Sequence, residues 1–157
     1  MNYIPISDEN RTMVNDFIME QWYSTKMIVR GKEYDLSMAD GILAIENSQI
    51  KGLITYIFYG DVCEIMSLDS LEPSKGIGTA LIQQVIEISK KSGCKKIVLI
   101  TTNDNINAIR FYQKRGFDMI RLYHNALDLS RKLKPEIPLI GENDIPLRHE
   151  IEFELQI

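Results

Sequence analysis

The run Glu72-Pro73-Ser74-Lys75-Gly76-Ile77-Gly78-Thr79-Ala80-Leu81 constrains this chain more than any other, because it packs a turn breaker, a basic residue and two glycines into the start of a helix. Behind it Ile77, Ala80, Leu81, Val85 and Ile88 recur at helical spacing, and Lys90 and Lys91 fill the last turn before Gly93, a C-terminal stop. The first N–H groups of such a helix have no partner within it and its dipole favours negative charge, so an anion bound there meets both demands. Gly76 and Gly78 let the backbone approach that anion closely. Two phosphate-binding patterns are excluded. A P-loop needs Gly-Lys followed by Ser or Thr, whereas Lys75 precedes the glycines, and a dinucleotide fingerprint needs a third glycine where Leu81 stands. A tight turn without any ligand is the competing reading of this stretch taken alone.

The rest of the chain supplies an α/β frame around that loop. Tyr3-Ile4-Pro5-Ile6 reads as an edge strand, followed by a helix with Ser7 as N-cap, Glu9 or Asn10 in its first turn, Met13, Val14, Phe17 and Ile18 on its apolar stripe, and an end before Ser24. Trp22 and Tyr23 read as core packing at the helix end or as the wall of a pocket. Met27 to Lys32 fits a strand or a loop. From Ile42 the period shifts toward two, over Ile42–Glu46, Ile50–Tyr59 and Val62–Asp69, with turns at Asn47-Ser48-Gln49 and Gly60-Asp61, which predicts a three-stranded antiparallel meander delivering the chain into the glycine loop. Asp69 reads as a turn residue. Lys96 to Thr102 is an unbroken apolar run, expected of an interior strand parallel to the one ending near Leu68, with the glycine-opened helix as crossover.

Further on, a short helix from about Asn107 to Arg115 is closed by Gly116, Phe117 to His124 is a strand, and Ala126 to Leu133 is one helical excursion. Pro135, Pro138, Gly141 and Pro146 mark a structured loop. Ile151, Phe153, Leu155 and Ile157 alternate with Glu150, Glu152, Glu154 and Gln156, a strand with one apolar and one acidic face. Its apolar face requires burial, which makes the segment 134–148 an ordered strap; Glu142, Asp144 and Glu150 are then either an acidic wall favouring a cationic ligand or a solvated face of a dimer contact.

Composition narrows the function classes. With 157 residues, 45% hydrophobic and 25% charged, the chain reads as a single domain over residues 1–157, the strap and final strand 134–157 included. No apolar run approaches the ~20 residues that span a bilayer, and the start lacks a signal peptide, so we expect a cytoplasmic protein with no membrane partner. A net charge of −4 and no basic stripe argue against a nucleic-acid partner. Cys63 and Cys94 are too few for a disulfide framework and read as reduced and structural. The seven methionines are scattered and read as core filler. His124 and His149 share no metal-ligand spacing with each other or with a cysteine, so no metal site is read.

A second motif follows the interior strand: Asn105-Ile106-Asn107-Ala108-Ile109-Arg110-Phe111-Tyr112-Gln113-Lys114-Arg115-Gly116-Phe117. Together the two stretches resemble the Gcn5-related N-acetyltransferase (GNAT) superfamily, over roughly Ile42 to His124. The first motif of that family maps onto Pro73 to Gly78, and the second onto Asn105, Ala108, Tyr112, Gly116 and Phe117. One departure stands out: the family's Gln or Arg is Pro73 here, which has no N–H to donate.

The resemblance implies a fold, a co-substrate and a division of labour. The fold implied is the GNAT fold of the α/β (α+β) class, a central mixed, mostly antiparallel sheet with a parallel splayed strand pair, flanked by helices. The co-substrate implied is acetyl-CoA, its phosphates on Ser74, Lys75, Gly76, Ile77, Gly78 and Thr79, its pantetheine arm along Met66, Ser67 and Leu68 with Asn105 and Ala108 beside it, and Lys114 a further charge anchor. The activity implied is an N-acetyltransferase in which a primary amine of a small molecule or peptide attacks the thioester directly, with an N–H near Met66 to Leu68 as oxyanion donor. Tyr112 shares a helix face with Asn105 and Ala108 and is implied as general acid to the thiolate, a buried structural aromatic being the alternative. An alkyl amine with a pKa near ~10.4 must lose a proton, for which Glu64 is the candidate base; strand alternation with a solvated Glu64 is the competing reading. A noncatalytic acyl-CoA-binding sensor and a nucleotide-binding domain are the rival functions.

Overall fold

The computed structural model describes Met1–Ile157. Nine strands and four α-helices alternate as β1 (Asn2–Pro5), α1 (Arg11–Trp22), β2 (Lys26–Val29), β3 (Lys32–Asp35), β4 (Asp40–Glu46), β5 (Gln49–Tyr59), β6 (Val62–Ser70), α2 (Ile77–Lys91), β7 (Lys96–Thr102), α3 (Ile106–Gln113), β8 (Asp118–Tyr123), α4 (Ala126–Leu133) and β9 (Glu150–Gln156). Seven strands form one mostly antiparallel sheet with a single parallel pair, in the order β1-β4-β5-β6-β7-β9-β8; β2 and β3 make a separate ribbon. The α/β class expected from the pattern is the class observed.

Two compact units divide the chain, and β7 belongs to both. The first holds Met1–Lys26, Asp35–Ile97 and Gln156–Ile157. Its meander β4-β5-β6 is turned at Asn47 and Ser48, both left-handed (φ 50° and 62°), as a two-residue hairpin requires. Helix α2 lies over one face of this meander, where a side chain at Gly52 would strike Ile77 and Leu81. Ile18, Leu43, Leu53, Ile54, Ile77, Leu81 and Val85 are all within 2% of full burial, each worth about 1.5–3 kcal/mol over an exposed site.

The second unit holds Met27–Tyr34 and Val98–Leu155. Its core is Leu99, Tyr112, Phe117, Leu127, Leu147 and Phe153. Segment 134–149 is the ordered strap the apolar face of β9 calls for. Asn103 holds it with four hydrogen bonds: its N–H donates to His149 O, its side-chain amide to Pro146 O, and its Oδ1 accepts from Arg148 and His149 N–H, all at 2.9–3.0 Å. Arg131 donates to the carbonyls of Ile137, Pro138 and Leu147. Asp104 accepts from Glu142 N–H at 2.8 Å, and it stands so close to Gly141 that a Cβ there would lie 2.1 Å from its Oδ2.

Several local expectations are corrected. Asn10, not Ser7, occupies the N-cap position of α1, and its side chain caps no helix N–H: its Oδ1 accepts from Ser7 N–H at 2.8 Å, because residues 8–10 form a turn before the helix starts. Tyr23 is neither core nor held in a wall within this unit: it is the left-handed C-cap of α1 (φ 59°) and 88% exposed, since a residue in that conformation points its side chain off the helix end. Asp69 is a strand residue of β6, not a turn residue, because pairing to Leu53 carries the strand on to Ser70. The methionines are not core filler: Met66 is buried, whereas Met1, Met13, Met19, Met38 and Met119 are exposed, the branched aliphatics having filled the interior. Glu150 is not on a solvated face; it is buried, with both carboxylate oxygens accepting from Arg30 N–H at 3.1 and 3.3 Å in the left-handed β2–β3 turn.

Candidate active site

The glycine loop has the geometry an anion cradle needs. Ser74 and Gly76 are left-handed (φ 65° and 76°) while Lys75 between them is not, and alternating handedness turns consecutive N–H groups toward one concavity. Gly76 is the N-cap of α2, so the N–H groups at the start of the helix, from Ile77 and Gly78, follow directly. A Cβ added at Gly76 would meet nothing within 4 Å, so the space above the loop is open. Ser74, Lys75 and Thr79 are exposed; Ile77 and Gly78 are buried toward the sheet. The Lys75 ammonium lies 3.7 Å from the Glu72 carboxylate, which Lys51 also holds at 3.2 Å; hydrogen bonding and charge from Lys51, then Lys75, keep Glu72 below the usual carboxylate range.

Upstream, β6 carries an irregularity that alternation could not announce. Ile65 is opposite Tyr56 and Ser67 opposite Thr55, so Met66 is an extra residue with no partner on β5. A bulge frees backbone groups and re-aims side chains. It also resets the alternation: Glu64 shares the face of Ile57, Ser67 that of Thr55 and Asp69 that of Leu53, so Glu64, Ser67 and Asp69 all project from one face of the meander. Glu64 on that face is 1% exposed, which overturns its reading as a solvated strand carboxylate. The Thr55 and Ser67 hydroxyls are hydrogen-bonded at 2.7 Å, both buried, and Leu68 is half-buried.

Sequence reasoning missed a partner of this face. Trp22 Nε1 donates to Asp69 Oδ2 at 3.1 Å. Burial raises the Asp69 carboxyl above its ordinary value, with the Trp22 bond opposing.

The second motif folds as a capped helix in the second unit. Asn105 Oδ1 accepts from Ala108 N–H at 3.1 Å, which makes Asn105 the N-cap of α3. Tyr112 is buried on that helix, its ring edge-on to Phe111 (5.2 Å) and Phe117 (5.5 Å) and tilted against Phe153 (6.0 Å). Lys114 is the exposed C-cap. His124 and His149 stack at 4.8 Å, and His149 Nδ1 accepts from Asn125 N–H at 2.8 Å. Cys63 and Cys94 are free and buried, and burial pushes the Cys63 thiol up to about 11.

The acetyltransferase (GNAT) family matches residues 8–117, which includes the glycine loop and the whole of α3. The chain belongs to the GNAT acetyltransferase family. It is 47% identical over 152 residues to the uncharacterized protein YxbD of Bacillus subtilis, covering 96% of each chain. Among solved structures it is similar to an IAA acetyltransferase of Bacillus cereus, with a TM-score of 0.70, 19% identity and 99% and 100% of the two chains covered. It is likewise similar to a Bacillus subtilis acetyltransferase solved in complex with CoA, with a TM-score of 0.68, 21% identity and 99% and 98% covered. No helix of the chain is long and apolar enough to cross a membrane.

Proposed function

We propose that the chain is an acetyl-CoA-dependent N-acetyltransferase acting on a primary amine of a small molecule or peptide. The observation that carries this reading is the loop at Ser74–Gly76, left-handed at both ends, open above Gly76 and leading straight into the N-terminus of α2. That arrangement suits a pyrophosphate, and a GNAT structure of the same fold was solved with CoA.

Acetyl-CoA supplies the activated acyl group, and the residues of this chain bind, orient and move protons. Ser74 to Thr79 hold the phosphates, with Lys75 exchanging its contact with Glu72 for phosphate charge. The backbone around the Met66 bulge, with Ser67 and Leu68, receives the pantetheine amides and offers an N–H to the oxygen that gains charge during attack. Asn105 and Ala108 shape the start of α3, Tyr112 protonates the departing thiolate, and Glu64 accepts the amine proton through water. The attack is direct, with no acyl-enzyme step.

A second reading, a noncatalytic acyl-CoA sensor, is favoured by one observation: Glu64 and Tyr112, the two groups assigned to proton transfer, are both buried. A thiol-release assay with acetyl-CoA and a mixed panel of amines separates the two. We expect CoA release with at least one amine. CoA binding by calorimetry without release on any amine establishes the sensor instead.

A further inference from the structure

The seven-stranded sheet has two open edges, and they are guarded unequally. Strand β1 is four residues long and ends in Pro5, which has no N–H to offer a neighbour. Strand β8 is six residues long and contains neither proline nor lysine. Five of its six residues are exposed, among them Met119 (48%), Ile120 (46%) and Leu122 (57%). An uncovered edge strand that carries three large apolar side chains is a template for pairing with another strand.

Pairing to β9 fixes which way these side chains face. Asp118 is opposite Glu154 and Arg121 opposite Glu152, whereas Met119 is opposite Phe153 and Leu122 opposite Ile151; Ile120 is an extra residue without a partner on β9. Residues three apart on a regular strand face opposite ways, so it is the bulge at Ile120 that brings Asp118 and Arg121 to one face and Met119 and Leu122 to the other. Neither charge is answered within the chain. Asp118 has a second carboxylate across the ladder, a repulsive arrangement, and forms no salt bridge. Glu152, opposite Arg121, already accepts from the Tyr123 hydroxyl at 2.8 Å and lies 3.6 Å from the Arg30 guanidinium. The Arg121 guanidinium sits against Tyr123, 5.7 Å from the ring centroid, and forms no salt bridge.

An aspartate and an arginine without ionic partners, on the same face of an open edge, are complementary to their own copies under a two-fold rotation. We infer that β8 pairs antiparallel with β8 of a second copy of this chain, about an axis midway between Met119 and Ile120, so that Asp118 of each copy meets Arg121 of the other. The axis stands perpendicular to the sheet, which keeps like faces together: two Asp–Arg pairs form on one face, and on the other Met119 of each copy comes opposite Ile120 of its mate, with Leu122 at either end of the shared apolar strip. The assembly closes at two copies, because the contact uses the β8 edge once and the β1 edge is guarded by Pro5. None of this depends on the acetyltransferase reading.

Sedimentation equilibrium of the full chain, without acetyl-CoA, reads the assembly. We expect a reversible monomer–dimer equilibrium with a Kd below about 100 µM, as suits a small contact, and no larger species. Asp118→Arg and Arg121→Asp each set like charges against one another and should weaken dimerisation at least tenfold, with circular dichroism and melting temperature at parent values because both positions are exposed. Mixing the two variants in equal amounts should restore the parent affinity, since the all-basic edge of one then faces the all-acidic edge of the other. Both changes in one chain should restore it as well, which keeps the test decisive where a single variant folds poorly. A Kd above about 100 µM for the parent, parent-like dimerisation of either folded single variant, no recovery in the mixture or the double variant, or a species larger than a dimer each overturns the inference.

Discussion

The hydroxyls of Thr55 and Ser67 meet at 2.7 Å across β5 and β6, both fully shielded, immediately after the extra residue Met66. Removing one leaves the other buried without its partner. Ser67→Ala should therefore cost about 1–3 kcal/mol of unfolding free energy, and the double change Thr55→Val with Ser67→Ala clearly less than the sum of the two single changes. Urea unfolding of the three variants measures this. Additive losses would mean that each hydroxyl has an independent partner.

Gly76 combines a left-handed backbone with open space at its Cβ position, so a side chain there is penalised by conformation and not by packing. Gly76→Val should destabilise by about 1–2 kcal/mol and weaken CoA binding at least tenfold, about 1.4 kcal/mol. Calorimetry on the folded variant decides: unchanged CoA affinity would move the phosphate site off this loop.

Tyr112→Phe keeps the ring that packs on Phe111, Phe117 and Phe153 and removes only the hydroxyl. CoA affinity should stay at the parent value while kcat falls by roughly 10²-fold, the lower range for loss of a general acid. Parent-level turnover would assign thiolate protonation to another group or to water.

Much of this was legible because it is periodic. The interior strand Lys96–Thr102 and the excursion Ala126–Leu133 are where the apolar pattern puts them, and Asn105 caps α3 as its spacing to Ala108 suggests. The glycine loop was readable because only a few residues adopt the left-handed turns it requires. What escaped was whatever breaks a period or depends on a distant residue. The bulge at Met66 leaves no mark in a strand of ordinary alternation, yet it is why Glu64, Ser67 and Asp69 share a face. The buried state of Glu150 depends on Arg30, 120 residues away, and no local pattern in β9 distinguishes it from Glu152 or Glu154.

His149 offers a pH test of the strap. Its imidazole is held below its ordinary value, first by burial, then by His124 and Arg148, with Asp128 opposing. Its Nδ1 accepts the Asn125 N–H and must be unprotonated to do so. A histidine whose folded value lies below its unfolded one stabilises the fold at pH above the unfolded value, about 6.5, and that stability is lost as pH falls through the folded value. The melting temperature should therefore drop between pH 7 and pH 5, and His149→Asn, which retains an acceptor that does not titrate, should flatten that drop. An identical slope in parent and variant would assign the acid loss to other groups.

Glu150 and Glu142 belong to the same acidic segment but are set to behave oppositely. Glu150 is 3% exposed and receives the Arg30 N–H in a turn where Arg30 and Gly31 are both left-handed (φ 51° and 71°). Glu142 is exposed, and it is its backbone N–H, not its carboxylate, that is bound to Asp104. A carboxylate committed to a turn is not available to attract an amine, so Glu150→Ala should act on the fold, costing about 1–3 kcal/mol for the donor it orphans. Glu142→Ala keeps its N–H and should stay within about 0.5 kcal/mol of the parent. Neither should change KM for acetyl-CoA. Paired unfolding and amine kinetics separate structure from recognition: a raised amine KM in Glu150→Gln with stability at the parent level would return this carboxylate to the acceptor side, whereas a stability loss at constant amine KM fixes it as the anchor of the β2–β3 turn.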